Sequence, residues 1–122
     1  MTQGQALQDF FSSFGLTAYP STAIPSDAVF PFLTYEAAFG GYGDAQALTV
    51  NLWYYTQSEA IPNAKVQEIS ARIGLGGVML RCDGGAIWIR RGSPFAQPVR
   101  DEADPSIKRR YINVTAEFLT MD

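Results

Sequence analysis

The 122-residue chain contains no histidine. That removes Ser-His-Asp and Cys-His catalytic sets and the usual Cys/His zinc sites. There is one cysteine, Cys82, so no internal disulfide can form. In "VMLRCDGG" the alternation places Cys82 on the side of Val78 and Leu80. A small buried hydrophobe is the expected role, because a nucleophilic thiol wants a histidine base nearby and the chain has none. No apolar run approaches the ~20 residues that a membrane-crossing helix needs. The start, Met1-Thr2-Gln3-Gly4, lacks the basic-then-apolar pattern of a secretory signal, so a cytoplasmic site of synthesis and use is expected. Cations are missing from the whole first half: no Lys or Arg occurs before Lys65. Six of the nine basic residues (Arg90, Arg91, Arg100, Lys108, Arg109, Arg110) fall between positions 90 and 110. The net charge is −3, and such an uneven distribution suits head-to-tail contact with a copy or a neighbour.

What remains reads as an ordinary globular chain, with 47% apolar and 17% charged residues and length for one core spanning 1–122. In "TQGQALQDFFSSFG", Leu7, Phe10, Phe11 and Phe14 share one helical face. Thr2 can cap its start and Gly15 can end it. Residues 16–31 carry prolines at 20, 25 and 31 and read as an extended connection. A strand follows in "FPFLTYEAAF", then a glycine-rich turn, "GGYGDAQ", shaped by Asp44. That turn lacks the lysine and the following helix of a phosphate loop. "ALTVNLWYYT" alternates cleanly: Leu48, Val50, Leu52 and Tyr54 oppose Thr49, Asn51, Trp53 and Tyr55. "SEAIPNAKVQEISARIG" switches to helical spacing, with Ile61, Val66, Ile69 and Ile73 as its stripe, Ser58 or Thr56 as cap and Gly74 as stop. Asp83-Gly84 between alternating apolar runs marks a hairpin. A long charged loop is expected over 92–107, and a final strand in "RRYINVTAEFLT". The expectation is an α+β fold: a mainly antiparallel sheet of about five strands, two helices on one face, order α-β-β-α-β-β-β.

Three groups of side chains are candidates for function. Asp101, Glu102 and Asp104 put three carboxylates in four positions, but the spacing matches no cation loop, so a solvated or partner-facing cluster is the simpler reading. Arg90, Arg91, Arg100, Lys108, Arg109 and Arg110 form a basic set on strands flanking one loop. A nucleic-acid patch would sit oddly on a chain of pI about 4.8, and salt bridging to an acidic partner, such as residues 101–104 of another copy, fits better. Charge reversal at Arg109 and Arg110 is then expected to impair assembly and leave the subunit folded. Trp53, Tyr54, Tyr55 and Trp88 are the aromatic group. Trp53 and Tyr55 lie opposite the apolar side of their strand, which leaves a subunit interface, a second small core or a ligand pocket open.

The stretches "GDAQALTVNLWYYTQSEAIPNAKVQEISARIG" and "DEADPSIKRRYINVTAEFLT" give the chain a pattern that resembles the tail-terminator (tail-completion) proteins of long, non-contractile bacteriophage tails. The likeness covers most of the chain from about residue 30, rests on element order and size, and does not extend to the proline-rich segment. The resemblance implies a virion structural protein assembled in the bacterial cytoplasm. It implies a homo-oligomeric ring, a hexamer in that family, docked between the tail-tube protein and the head-side connector. It also implies no cofactor, no catalysis and no membrane, with DNA only as passing cargo. Subunit or tube contacts would then involve Arg90, Arg91, Arg100, Asp101, Glu102, Asp104, Lys108, Arg109, Arg110, Trp53 and Tyr55. A connector, stopper or other minor tail protein is the near alternative, and a small ligand-binding or enzymatic α+β domain the distant one.

Overall fold

The computed structural model describes residues 1–36 and 45–120. The glycine-rich turn and Asp44 lie outside them. Among the described residues the order is α1 (Gln3–Ser12), β1 (Thr17–Pro20), β2 (Phe32–Tyr35), β3 (Ala45–Tyr55), α2 (Ala60–Ile73), β4 (Val78–Cys82), β5 (Gly85–Arg100) and β6 (Ile107–Thr120). The six strands form one sheet in the order β1-β2-β3-β6-β5-β4. The α+β class and the antiparallel pairing of β2 to β6 agree with expectation. The strand count does not, because the sheet has six strands and is mixed.

The extra strand comes from the proline-rich segment. Thr17–Pro20 pairs in parallel with Phe32–Tyr35, so 16–31 is not wholly a connection. Thr17 and Tyr19 are good strand formers, and Pro20 is tolerated because β1 is the outermost strand and Pro20 its last residue. The second correction concerns the expected loop at 92–107. β5 continues to Arg100 through an irregularity between Arg91 and Ala96, leaving only residues 101–106 as the turn. Pro94 sits in that irregularity. Pro98 lies where β5 pairs with β6 alone, since β4 reaches only to Ile89, so the other edge of the strand is open there, a setting in which proline is tolerated.

Both helices pack on one face of the sheet. Leu7, Phe10, Phe11 and Phe14 meet Leu33, Tyr35, Leu48, Val50, Leu52, Ile112, Val114, Ala116 and Phe118 in one cluster with Ile69 and Ile73 of α2. Thr2 caps α1 in a capping box with Gln5, as its sequence proposes. The stripe of α2 differs by one step. Pro62, Ile69 and Ile73 are buried with Val66 beside them, while Ile61 is exposed. Positions 62, 66, 69 and 73 advance by 4, 3 and 4, which holds one face; Ile61 is about 100° off it. Its start also differs. Glu59 is the N-cap, and neither Ser58 nor Thr56 bonds into the helix; the Thr56 hydroxyl instead accepts from the Ser58 amide.

Phe11 is fully buried and its ring stacks on Tyr35 at 4.7 Å, which joins α1 to β2. Replacing it leaves a cavity between helix and sheet. Phe11→Ala is expected to cost roughly 3–5 kcal/mol in chemical denaturation; a loss below ~1 kcal/mol would mean that α1 is not part of the cooperative core.

Candidate interaction surface on the open sheet face

Among the described residues the helices leave the other face of the sheet to side chains alone. Strand alternation decides which ones. In β3 and β6 the register pairs Trp53 with Arg109, Asn51 with Tyr111 and Thr49 with Asn113, all on the side away from the helices. The Arg109 guanidinium lies 4.9 Å from the Trp53 ring centre and donates through Nε to Asn51 Oδ1 at 2.8 Å. Trp53 stacks on Phe32 at 6.1 Å and donates through Nε1 to Thr34 Oγ1 at 3.0 Å. Phe32 in turn meets Tyr19 and Phe30, and Phe30 meets Tyr55. An aromatic row thus crosses β1, β2 and β3 and ends under an arginine on β6. Such pairs add about 0.5–1.5 kcal/mol each beyond simple burial. Phe32 is buried within the row, whereas Tyr55 is 60% exposed at its end.

The charged residues divide between the two faces. Arg110, next to Arg109, points the opposite way and is only 4% exposed. Its Nη2 donates to Glu59 Oε2 and its Nε to Asn63 Oδ1 at 2.9 Å, so β6 grips the first turn of α2. A cation beside a helix N-terminus opposes the helix dipole. Glu59 offsets this, and it also lies 3.5 Å from Lys108 Nζ. Arg91 likewise turns to the helices and donates to Ser70 Oγ at 2.9 Å. Arg90 faces outward, 4.2 Å from the Trp88 ring centre and 3.0 Å from Glu117. Its Nε is buried without a hydrogen-bond partner. Trp88 is therefore separate from the Trp53 row, and Tyr54 belongs to the core.

The carboxylates at 101–104 build the turn between β5 and β6. Asp101 Oδ1 accepts from the amides of Ala103 and Asp104 at 2.9 and 3.1 Å. Asp104 Oδ1 accepts from the Ser106 amide at 2.9 Å. Both side chains replace backbone partners that a short turn cannot supply. Glu102 and Arg100 are exposed. A cleft of about 340 Å³ beneath the hairpin is lined by Glu59, Arg100, Asp101, Lys108 and Arg110 among others. Three of these groups already satisfy one another, because Glu59 pairs with both Lys108 and Arg110.

Among the described residues no group of three or more His, Cys, Asp or Glu side chains could hold a metal ion. Burial first, then the Asp83 carboxylate, push the Cys82 thiol above its usual range, away from thiolate chemistry. No helix among the described residues is long and apolar enough to cross a membrane. Comparison with protein-family models, with curated proteins and with solved structures finds no match.

Tyr19, Phe30, Phe32, Asn51 and Glu59 were not singled out from sequence. The aromatic spacing of two at Phe30 and Phe32 repeats at Trp53 and Tyr55 and was the available signal.

Two outcomes are expected. Arg110→Ala removes a buried guanidinium with charged and neutral partners and should cost about 1.5–3 kcal/mol in urea denaturation, so the expectation that charge reversal at Arg110 leaves the subunit folded is corrected: this side chain serves the fold. Arg109→Ala should leave Tm nearly unchanged by comparison. The hydrogen bond from Arg110 holds the Glu59 carboxyl below the ordinary glutamate value. A lowered folded-state pKa gives stability that is full above the unfolded value and is lost as pH falls through the folded one. The Tm gap between wild type and Glu59→Gln should thus be largest at neutral pH and close in acid. A gap that is flat with pH would show that the pairing does not stabilise the fold.

Proposed function

We propose that the protein is a structural component of a phage tail or tail-like particle, a terminator that closes the tail tube as a homo-oligomeric ring, with six copies as in the family it resembles. The observation that carries this reading is the open sheet face, where an aromatic row ending in Arg109 lies without a covering helix. Aromatic and arginine side chains at the centre of an exposed patch are what protein interfaces use. The turn at the end of the β5–β6 hairpin supports it further. Asp101 and Asp104 fasten that turn internally, so Arg100 and Glu102 are presented on a preformed support. Preformed contact groups lose less entropy on docking. The cation-free first half and the basic second half supply the two unlike surfaces that a ring interface requires.

In this reading the side chains serve as docking surface, and Arg100 and Glu102 set register against the tail-tube protein or the head-side connector. Rim charges of this type tune encounter rate and specificity more than raw affinity. The test is tube capping. Wild-type protein added to growing tail tubes should stop elongation, and electron microscopy should find it at tube ends. The double reversal Arg100→Glu with Glu102→Arg should keep Tm and lose capping. Wild-type protein that never associates with tail tubes, or that turns over a small molecule, would overturn the reading.

A further inference from the structure

The turn joining α2 to β4, Gly74-Leu75-Gly76-Gly77, exposes a leucine almost completely: Leu75 is 97% accessible. The turn is clamped. Trp88 Nε1 donates to the Gly76 carbonyl at 2.9 Å. Gly77, at φ +82°, lies so close to β5 that a Cβ there would meet the Ile89 carbonyl oxygen at 2.5 Å and Trp88 Nε1 at 2.6 Å. Only glycine fits such an approach. An apolar side chain is thus held out to solvent on a rigid base. Two exposed cations flank the base: Arg81 on β4, and Arg72 in the last turn of α2, which donates to Ser13 Oγ at 3.1 Å; Arg90, stacked on the same Trp88, is balanced by Glu117.

The opposite end of the sheet carries a complementary hollow. Ala28, Val29, Phe30, Pro31, Tyr54 and Tyr55 line a groove of about 490 Å³. Val29 is 78% exposed. The chain before Lys65 contributes no cation there, and the exposed Asp27 adjoins the groove in sequence. Lys108, the neighbour of Tyr54 across the ladder, is engaged by Glu59 and the Pro105 carbonyl. The groove belongs to the β2–β3 side of the sheet, and the knob lies beside β4, the strand at the far edge.

From this complementarity we propose that the groove at Val29, Phe30 and Tyr55 is occupied by Leu75 of a second copy of this chain, in a head-to-tail contact repeated from subunit to subunit. Knob and hollow lie on different parts of one molecule, so the contact is heterologous and leaves each copy with one knob and one hollow to offer. Apolar insertion supplies the attraction, and Arg72 and Arg81 against the cation-free side fix the orientation. The inference rests on the ring reading above, for which it names the subunit contact.

Cysteine pairing tests it, in a Cys82→Ser background. The chain carrying both Val29→Cys and Leu75→Cys should form, on mild oxidation, a ladder of covalent oligomers beyond the dimer. A chain carrying Leu75→Cys with Ser93→Cys, an exposed position away from the groove, should not. Leu75→Glu in the otherwise unaltered protein should weaken self-association about tenfold or more while Tm stays the same, since the side chain touches nothing in its own subunit. A ladder equally strong in the control pair, covalent species no larger than dimers, or no ladder at the highest soluble concentration overturns the proposal. Rings that persist with Leu75→Glu would overturn this contact and leave the ring reading standing. Failure of the wild type to associate with itself or with tail tubes would remove both.

Discussion

β6 lies between β3 and β5 and pairs with both along almost its whole length. Its even positions, Ile112, Val114, Ala116 and Phe118, are fully buried under the helices. Its odd positions carry Arg109, Tyr111 and Glu117 on the other face, where each contacts a side chain of a neighbouring strand. A slip of one residue would exchange the two sets, putting arginine and glutamate into the core and four apolar side chains into water. The register of this strand therefore fixes the core and the outer surface together. The aromatic row exists as a row because Trp53 is held opposite Arg109 and Phe32 opposite Trp53.

The same alternation explains why charge is densest where β6 begins. Lys108, Arg109 and Arg110 are consecutive, yet they serve two faces. Arg110 and Lys108 tie Glu59, and with it the start of α2, to the sheet. Arg109 stays outside on Trp53. The acidic residues just before them spend two of three carboxylates on closing the hairpin. Of the whole charged stretch, Arg100 and Glu102 remain exposed. A cluster that reads in sequence as a docking patch is in large part the joinery of helix to strand and strand to strand. The outward sheet face keeps an aromatic row with Arg109 at its end.

Period-2 and period-3.6 patterns were legible wherever the apolar residues were uninterrupted. β3, β6, α1 and the Asp83-Gly84 hairpin follow directly from them, and Gly84 has the positive φ that such a turn needs. Proline hid the rest. Pro20, Pro94 and Pro98 make 17–20 and 93–100 look like connections, because a proline normally interrupts a ladder. Whether it does depends on having a neighbour on its N–H side, and that is a property of the assembled sheet. In α2 the reverse holds: the buried stripe runs through Pro62 and not through Ile61, since a proline in the first helical turn can still turn an apolar face to the sheet. For the surface, Trp53 and Tyr55 were visible as an unpaired face. Of their partners, Tyr19 was hidden in the proline-rich segment, whereas Phe30 and Phe32 repeat the spacing of two that Trp53 and Tyr55 show. The inward turn of Arg110 could have been inferred from its even position in β6, but a buried arginine is rare enough that apolar patterning gives no warning of it.

On the proposal that the open sheet face docks on a copy or a partner, the protein should not remain alone under the conditions in which it works. The most direct measurement is the native mass of the purified chain, alone and with tail-tube protein present. The expected result is a closed species of six 13.4 kDa chains, about 80 kDa, in at least one of the two conditions. A particle of 13.4 kDa at every concentration, with and without the tube protein, would contradict the account.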